Sequence, residues 1–262
     1  MKECVIFITF KVDNTVIKHF NQLKNDLSNN FNIDLYIAYN CSYDECAIDH
    51  DKIFRYNKEI MENDGFKLHY YYWKNFGDFY GHNNDLVMVN FFNHYNNYDR
   101  YWFVDYDVLY TGNWNELITY FNNKEYDFIC SNLLMNHKID TCFKVNPIGI
   151  KYDITKQLHG FTSIMMLSKI ALEFLLKIYK MGAYGFLENF FPTALYYNDY
   201  NDHKFILDSF NEHGFVDGYS QDDNSTMNCK NWTIEEQKTF KKNKLYHAVK
   251  NETQNSTHNT LL

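Results

Sequence analysis

The chain has 262 residues, of which 45% are hydrophobic, enough to bury one sizeable core. Its formal net charge of -8 and its lack of clustered Lys and Arg exclude a surface built to neutralise nucleic-acid phosphates. No window is apolar long enough to cross a bilayer, and the short apolar run of 1–10 carries no cleavage site, so a cytoplasmic protein with no transmembrane segment is expected.

Val5-Ile6-Phe7-Ile8-Thr9-Phe10 is an unbroken β-prone run, the signature of a strand buried on both faces. Asn14 can cap a helix in which Val16, Ile17, Phe20, Leu23 and Leu27 recur at helical spacing. Residues 33–39 form a second buried strand, and strand, helix and strand together predict a right-handed β-α-β unit opening a parallel sheet. Residues 40–66 are weakly patterned and read as loop and helix over the sheet's carboxyl edge. A third strand is expected over 68–73 and a helix from Leu86, with Asn83 or Asn84 near its start.

Trp102-Phe103-Val104 runs straight into Asp105-Tyr106-Asp107, which places an acidic pair at a strand's carboxyl end, where open α/β sheets hold their ligands. A short helix over 114–121 and a strand over 128–130 follow. Residues 161–167 predict a strand ending on Ser168, which caps a helix over 170–179 that Gly182 terminates. The pattern fades after Phe191, and 251–262 form a polar tail expected to be disordered. Residues 1–250 are expected to make one catalytic domain, since no Pro/Gly linker divides them. The six cysteines show no CxxC pairing and read as thiols. The 23 Tyr and 23 Phe, with heavy Asn and Lys usage, look like AT-rich coding, so no single aromatic is taken as a sugar platform.

Two carboxylates two residues apart in extended backbone point the same way, so Asp105 and Asp107 could share one hard cation. A nucleotide-sugar diphosphate needs such a site, because Mn²⁺ or Mg²⁺ stabilises charge developing on the leaving phosphate. A solvated loop with two acids is the plain alternative.

The stretch Tyr101-Trp102-Phe103-Val104-Asp105-Tyr106-Asp107-Val108-Leu109-Tyr110-Thr111-Gly112-Asn113-Trp114 resembles a signature of GT-A glycosyltransferases. His159-Gly160-Phe161 through Ser168, then Glu188-Asn189-Phe190-Phe191-Pro192-Thr193, resembles the acceptor half of mucin-type branching N-acetylglucosaminyltransferases. Leu245-Tyr246-His247-Ala248-Val249-Lys250 resembles the segment that closes such a site. The resemblance departs in one respect, since those branching enzymes are metal-independent and lack the D-x-D triplet. It implies a GT-A-like, Rossmann-like α/β fold with a central, mostly parallel sheet flanked by helices. It also implies a metal-dependent hexosyl transfer from a nucleotide-diphosphate sugar, a UDP-sugar, to a hydroxyl of a glycan or other acceptor.

In that scheme Asp107, Asp105 and His247 hold the metal. Asp105, Lys250, Asp85, His159 and Gly160 contact the donor, and Glu188 is the general base of an inverting transfer. Each has a structural alternative. Glu188 suits a helix N-terminus by its charge, Asp85 suits a helix cap and His159 a satisfied buried histidine; His247 and Lys250, whose separation of three puts both on one face of a helix, could also be plain surface residues near a polar tail. Two other readings of the chain remain: a haloacid-dehalogenase-like phosphatase using Asp105 and Asp107, and a carbohydrate-binding relative without activity.

Overall fold

A strand that is apolar on both faces needs cover on both, and the core is divided into two halves that supply it. In the computed structural model, which describes residues 1–42, 45–66, 84–135, 150, 156–219 and 225–250, the first strand, β1 (Glu3–Thr9), is buried along its whole length. Its Cys4, Ile6 and Ile8 join one cluster with Phe91, Phe103, Leu172 and Phe190. Val5 and Phe7 join the other, with Phe20, Trp102, Leu117 and Met166.

The chain continues through α1 (Asn14–Leu27), β2 (Ile33–Asn40), β3 (Ile53–Tyr56), α2 (Lys58–Asn63), α3 (Asn84–His94), β4 (Arg100–Asp105), β5 (Leu109–Tyr110) and α4 (Trp114–Phe121). After these come β6 (Phe128–Met135), β7 (Leu158–Ser168), α5 (Lys169–Lys180) and α6 (Leu187–Tyr196). The last elements are β8 (Asp199–Tyr200), β9 (His203–Lys204), β10 (Leu207–Ser209), α7 (Ile234–Gln237) and β11 (Leu245–Tyr246). Seven strands make the central sheet, in the order β10-β6-β7-β4-β1-β2-β3. The pairs β1–β2, β1–β4, β2–β3 and β6–β10 are parallel, whereas β7 runs antiparallel to both β4 and β6. The fold is α/β, a central and mostly parallel sheet flanked by helices.

The reversed strand matters most for position. Because β7 opposes β4, with Val104 beside Ile164, the beginning of β7 lies at the carboxyl edge where Asp105 ends β4. Asn189 and Thr193, four apart on one face of α6, clamp that beginning. Leu158 N–H donates to Thr193 Oγ1 at 3.0 Å, and Asn189 Nδ2 donates to the Leu158 carbonyl at 3.2 Å.

Several expectations shift. The cap of α1 is Asp13, whose carboxylate accepts from Thr15 and Val16 N–H at 2.9 Å each, and Asn14 is the first helical residue. A carboxylate there satisfies two orphan donors and meets the positive end of the helix dipole. Ser168 caps α5 as expected, and Gly182, at φ 94°, lets the chain turn off its end. Residues 40–66 hold a strand, β3, which the sequence hides because Ile-Phe-Arg-Tyr is too short to show a period. The strand from Phe128 runs on to Met135 through an irregular register, with Asn132 at φ 54°. The strand expected over 68–73, Asn83 and the polar tail of 251–262 lie outside the described residues, and Asn84 is the first residue of α3. Among the described residues no helix is long and apolar enough to cross a membrane, and Cys4, Cys41, Cys46, Cys130 and Cys229 are all free thiols.

Candidate active site

At the carboxyl end of β4 the backbone does not stay extended but turns, with Val108 N–H donating to the Asp105 carbonyl at 3.0 Å. Two neighbours hold that turn. Tyr106 N–H donates to the Ile8 carbonyl of β1 at 2.9 Å, and His19 Nδ1, buried on α1, donates to the Tyr106 carbonyl at 3.0 Å. Both Asp105 and Asp107 line a cleft of about 330 Å³ over this edge of the sheet, so the pair shares a site although its backbone is not a strand throughout.

The C-terminal segment reaches the same cleft from far along the chain. Lys241 and Lys244 pair with Asp217, Leu245–Tyr246 add to β5 as an antiparallel strand, and Tyr246 stacks on Phe240 with ring centroids 3.6 Å apart. Val249 N–H then donates to the Asp107 carbonyl at 2.9 Å. The segment delivers His247 Nε2 to 3.4 Å from Asp107 Oδ1 and Lys250 Nζ to 3.1 Å from Asp107 Oδ2. The segment is not helical: it runs on from β11 and is tied by the backbone bond to Asp107.

The electrostatics follow from this packing. Burial by itself would raise the Asp107 carboxyl, but the His247 imidazole and the Lys250 ammonium outweigh it and hold Asp107 below the ordinary carboxylate range. Burial and the neighbouring Asp107 charge push Asp105 well above that range. His247 is raised although burial opposes it, because Asp107 stabilises the imidazolium.

His247 Nδ1 lies 2.6 Å from the Asn228 carbonyl, which can only accept, so Nδ1 carries a proton. A neutral His247 therefore aims a bare Nε2 lone pair at a carboxylate oxygen, and that arrangement calls for a proton or a cation between them. Asp107 and His247 thus fit as two ligands of a divalent cation. No group of three such side chains converges among the described residues, so the remaining ligands would come from substrate oxygens and water.

Glu188 lines the same cleft from the first turn of α6, whose cap Phe186 makes no side-chain bond. Burial raises its carboxyl to about 7, against a lowering by His247 and by the backbone N–H of Thr162. Pro192 falls four residues on and has no N–H for the Glu188 carbonyl. His159 Nε2 is 3.9 Å from Glu188 Oε2.

Asp85, His159 and Gly160 do not line the cleft. Asp85 accepts from the Tyr179 hydroxyl inside the core, with Asn84 at the cleft instead. The space a side chain at Gly160 would fill is taken by Cys130 Sγ, 2.3 Å from an ideal Cβ, so packing between β6 and β7 demands the glycine. The cleft also takes Thr9, Phe10, Tyr56, Thr162, Ser163 and Cys229, which no local pattern singles out.

No protein-family model matches this chain, and no curated protein sequence is significantly similar to it. Among solved structures it is similar to a glycosyltransferase involved in the glycosylation of the major capsid of PBCV-1, at 8% identity and a TM-score of 0.38, over 80% of this chain and 81% of the other. HddC from Yersinia pseudotuberculosis is similar at 10% identity and a TM-score of 0.37, over 80% and 90%. The galactosyltransferase LgtC, in complex with donor and acceptor sugar analogs, is similar at 8% identity and a TM-score of 0.32, over 70% and 67%.

Proposed function

We propose that the protein is a metal-dependent glycosyltransferase that moves a hexose from a nucleotide-diphosphate sugar, a UDP-sugar, to an acceptor hydroxyl with inversion. The observation that carries this is one cleft lined by both a cation-fitting cluster and a buried carboxyl. Asp107, His247 and Lys250 meet in it, and Glu188, with its carboxyl near 7, lines it as well.

Asp107 and His247 would hold Mn²⁺ or Mg²⁺, and such an ion supplies stabilisation of the charge that develops on a departing diphosphate. Lys250 adds a point charge suited to a phosphate oxygen once it leaves Asp107. Asp105, which lines the same cleft, would accept from a hydroxyl of the ribose or of the donor sugar. Glu188, ionised, takes the proton of the acceptor hydroxyl, and its burial raises its basicity to match that task near neutrality. The phosphatase reading asks Asp105 to be an ionised nucleophile, and burial beside Asp107 disfavours that charge.

Thermal unfolding with Mn²⁺ and UDP tests the reading. Together they should raise the melting temperature of the native chain and not that of Asp107→Asn, as linkage requires of a ligand bound only by the folded state. An equal shift in both proteins removes Asp107 from the site. The anomeric configuration of the product, read by NMR, tests Glu188, because a single base-assisted displacement inverts.

A further inference from the structure

Resting on the reading of Glu188 as the base, a further role falls to a residue that does not line the cleft. The start of β7 and the first turns of α6 are bound to each other by groups that leave little freedom. Asn189 Nδ2 donates to the Leu158 carbonyl at 3.2 Å, and since a carbonyl only accepts, that bond decides which end of the amide faces β7. The same Nδ2 lies 3.4 Å from His159 Nδ1. An amide nitrogen is a donor only, so Nδ1 must accept, and the proton of the neutral imidazole is placed on Nε2. Nε2 is the atom that faces Glu188 Oε2, at 3.9 Å. Thr193 Oγ1 completes the clamp by donating to the Leu158 carbonyl at 3.2 Å, so backbone, amide and imidazole are fixed as one unit.

We infer that His159 is a positioning residue for Glu188 and not a donor contact: Asn189 holds it as the Nε2–H tautomer, and its N–H keeps the Glu188 carboxylate turned to receive the acceptor's proton. Closing the 3.9 Å gap by about 1 Å makes a hydrogen bond to Oε2. That bond favours the carboxylate form during the approach of the acceptor and restrains its rotation. The imidazole gains no net charge in the step, because the transferred proton ends on Glu188.

Two measurements test this. With ¹⁵N-labelled histidines at about pH 8, above the ordinary imidazole range, the resonance missing from His159→Phe should show a protonated Nε2 and a bare Nδ1. Asn189→Leu should erode that preference, and Glu188→Gln should move the Nε2 signal. A protonated Nδ1 in the native chain, or a signal indifferent to both variants, overturns the proposal without touching the base reading.

The second measurement is UDP release from UDP-glucose in the presence of Mn²⁺, with Kd for UDP beside it. His159→Phe should lower kcat roughly tenfold to hundredfold at unchanged Kd. His159→Gln, which restores a donor near the Nε2 position, should recover most of the loss. In the Glu188→Gln background His159→Phe should cost little more, since both changes remove one function. If Glu188→Gln turns over normally, the base reading falls and takes His159 with it. If Glu188→Gln is crippled and His159→Phe still subtracts its full factor, the base stands and His159 alone is misassigned.

Discussion

Asp85 and Glu188 share two local features. Each is an acid in the first turn of a helix, and burial raises each carboxyl to about 7. Their surroundings differ. Asp85 is 3% exposed, receives the Tyr179 hydroxyl, and keeps an Oδ1 with no partner among the described residues. Glu188 keeps a fifth of its side chain exposed, lines the cleft, has His159 3.9 Å away and feels the charge of His247. A raised carboxyl therefore marks burial, and only the presence of room for a reactant beside it marks chemistry.

The comparison can be broken most directly at Glu188. Glu188→Gln should slow transfer about a hundredfold to ten thousandfold with donor affinity nearly unchanged, measured as kcat against Kd for UDP. The native rate should rise with pH through about 7, as the base ionises, and the variant should lose that limb. Asp85→Asn should do neither. A loss of turnover in Asp85→Asn equal to that of Glu188→Gln would end the distinction.

Asp107→Asn should abolish the Mn²⁺-dependent UDP stabilisation, a loss of about 2.7 kcal/mol at a hundredfold excess of ligand over Kd. Its melting temperature without ligand should change far less.

At Asp85 the expected signal is in stability. Its folded carboxyl is raised above its unfolded value, so its contribution is present in full below about 4 and is lost as pH rises through about 7. The stability of Asp85→Asn relative to the native chain should therefore improve by on the order of 2 kcal/mol between about pH 5 and pH 8, followed by urea unfolding. Glu3, raised to about 7 by burial, titrates in both proteins and cancels from the difference. A flat difference would mean that the Tyr179 bond holds Asp85 ionised.

The smallest effect is expected at Gly160, a core position two residues before the cleft-lining Thr162. Gly160→Ala should cost about 1–2 kcal/mol through its clash with Cys130 and leave UDP affinity unchanged. Cys130→Ala in the same chain should return most of it, as coupled neighbours do. A loss of UDP affinity would move Gly160 back to the donor site.

Much of this protein is written in short segments of its sequence. The double-sided burial of β1 and β2, the helical period of α1, the Ser168 cap and Gly182 stop of α5, and the acid pair ending β4 each follow from residues close together in the sequence. Periodicity and capping are local physics and can be read without the fold. The site itself is not local. That His247 and Lys250 face Asp107 depends on β11 pairing with β5 across more than a hundred residues. That Glu188 opens on the cleft while Asp85 does not depends on β7 running backwards beside β4. That Gly160 serves Cys130 depends on the pairing of β6 with β7. Side-chain type and spacing say which groups could act; only the packing of distant strands puts a particular acid beside a partner, a cavity or a wall of apolar atoms, because burial and charge act through space and not along the chain.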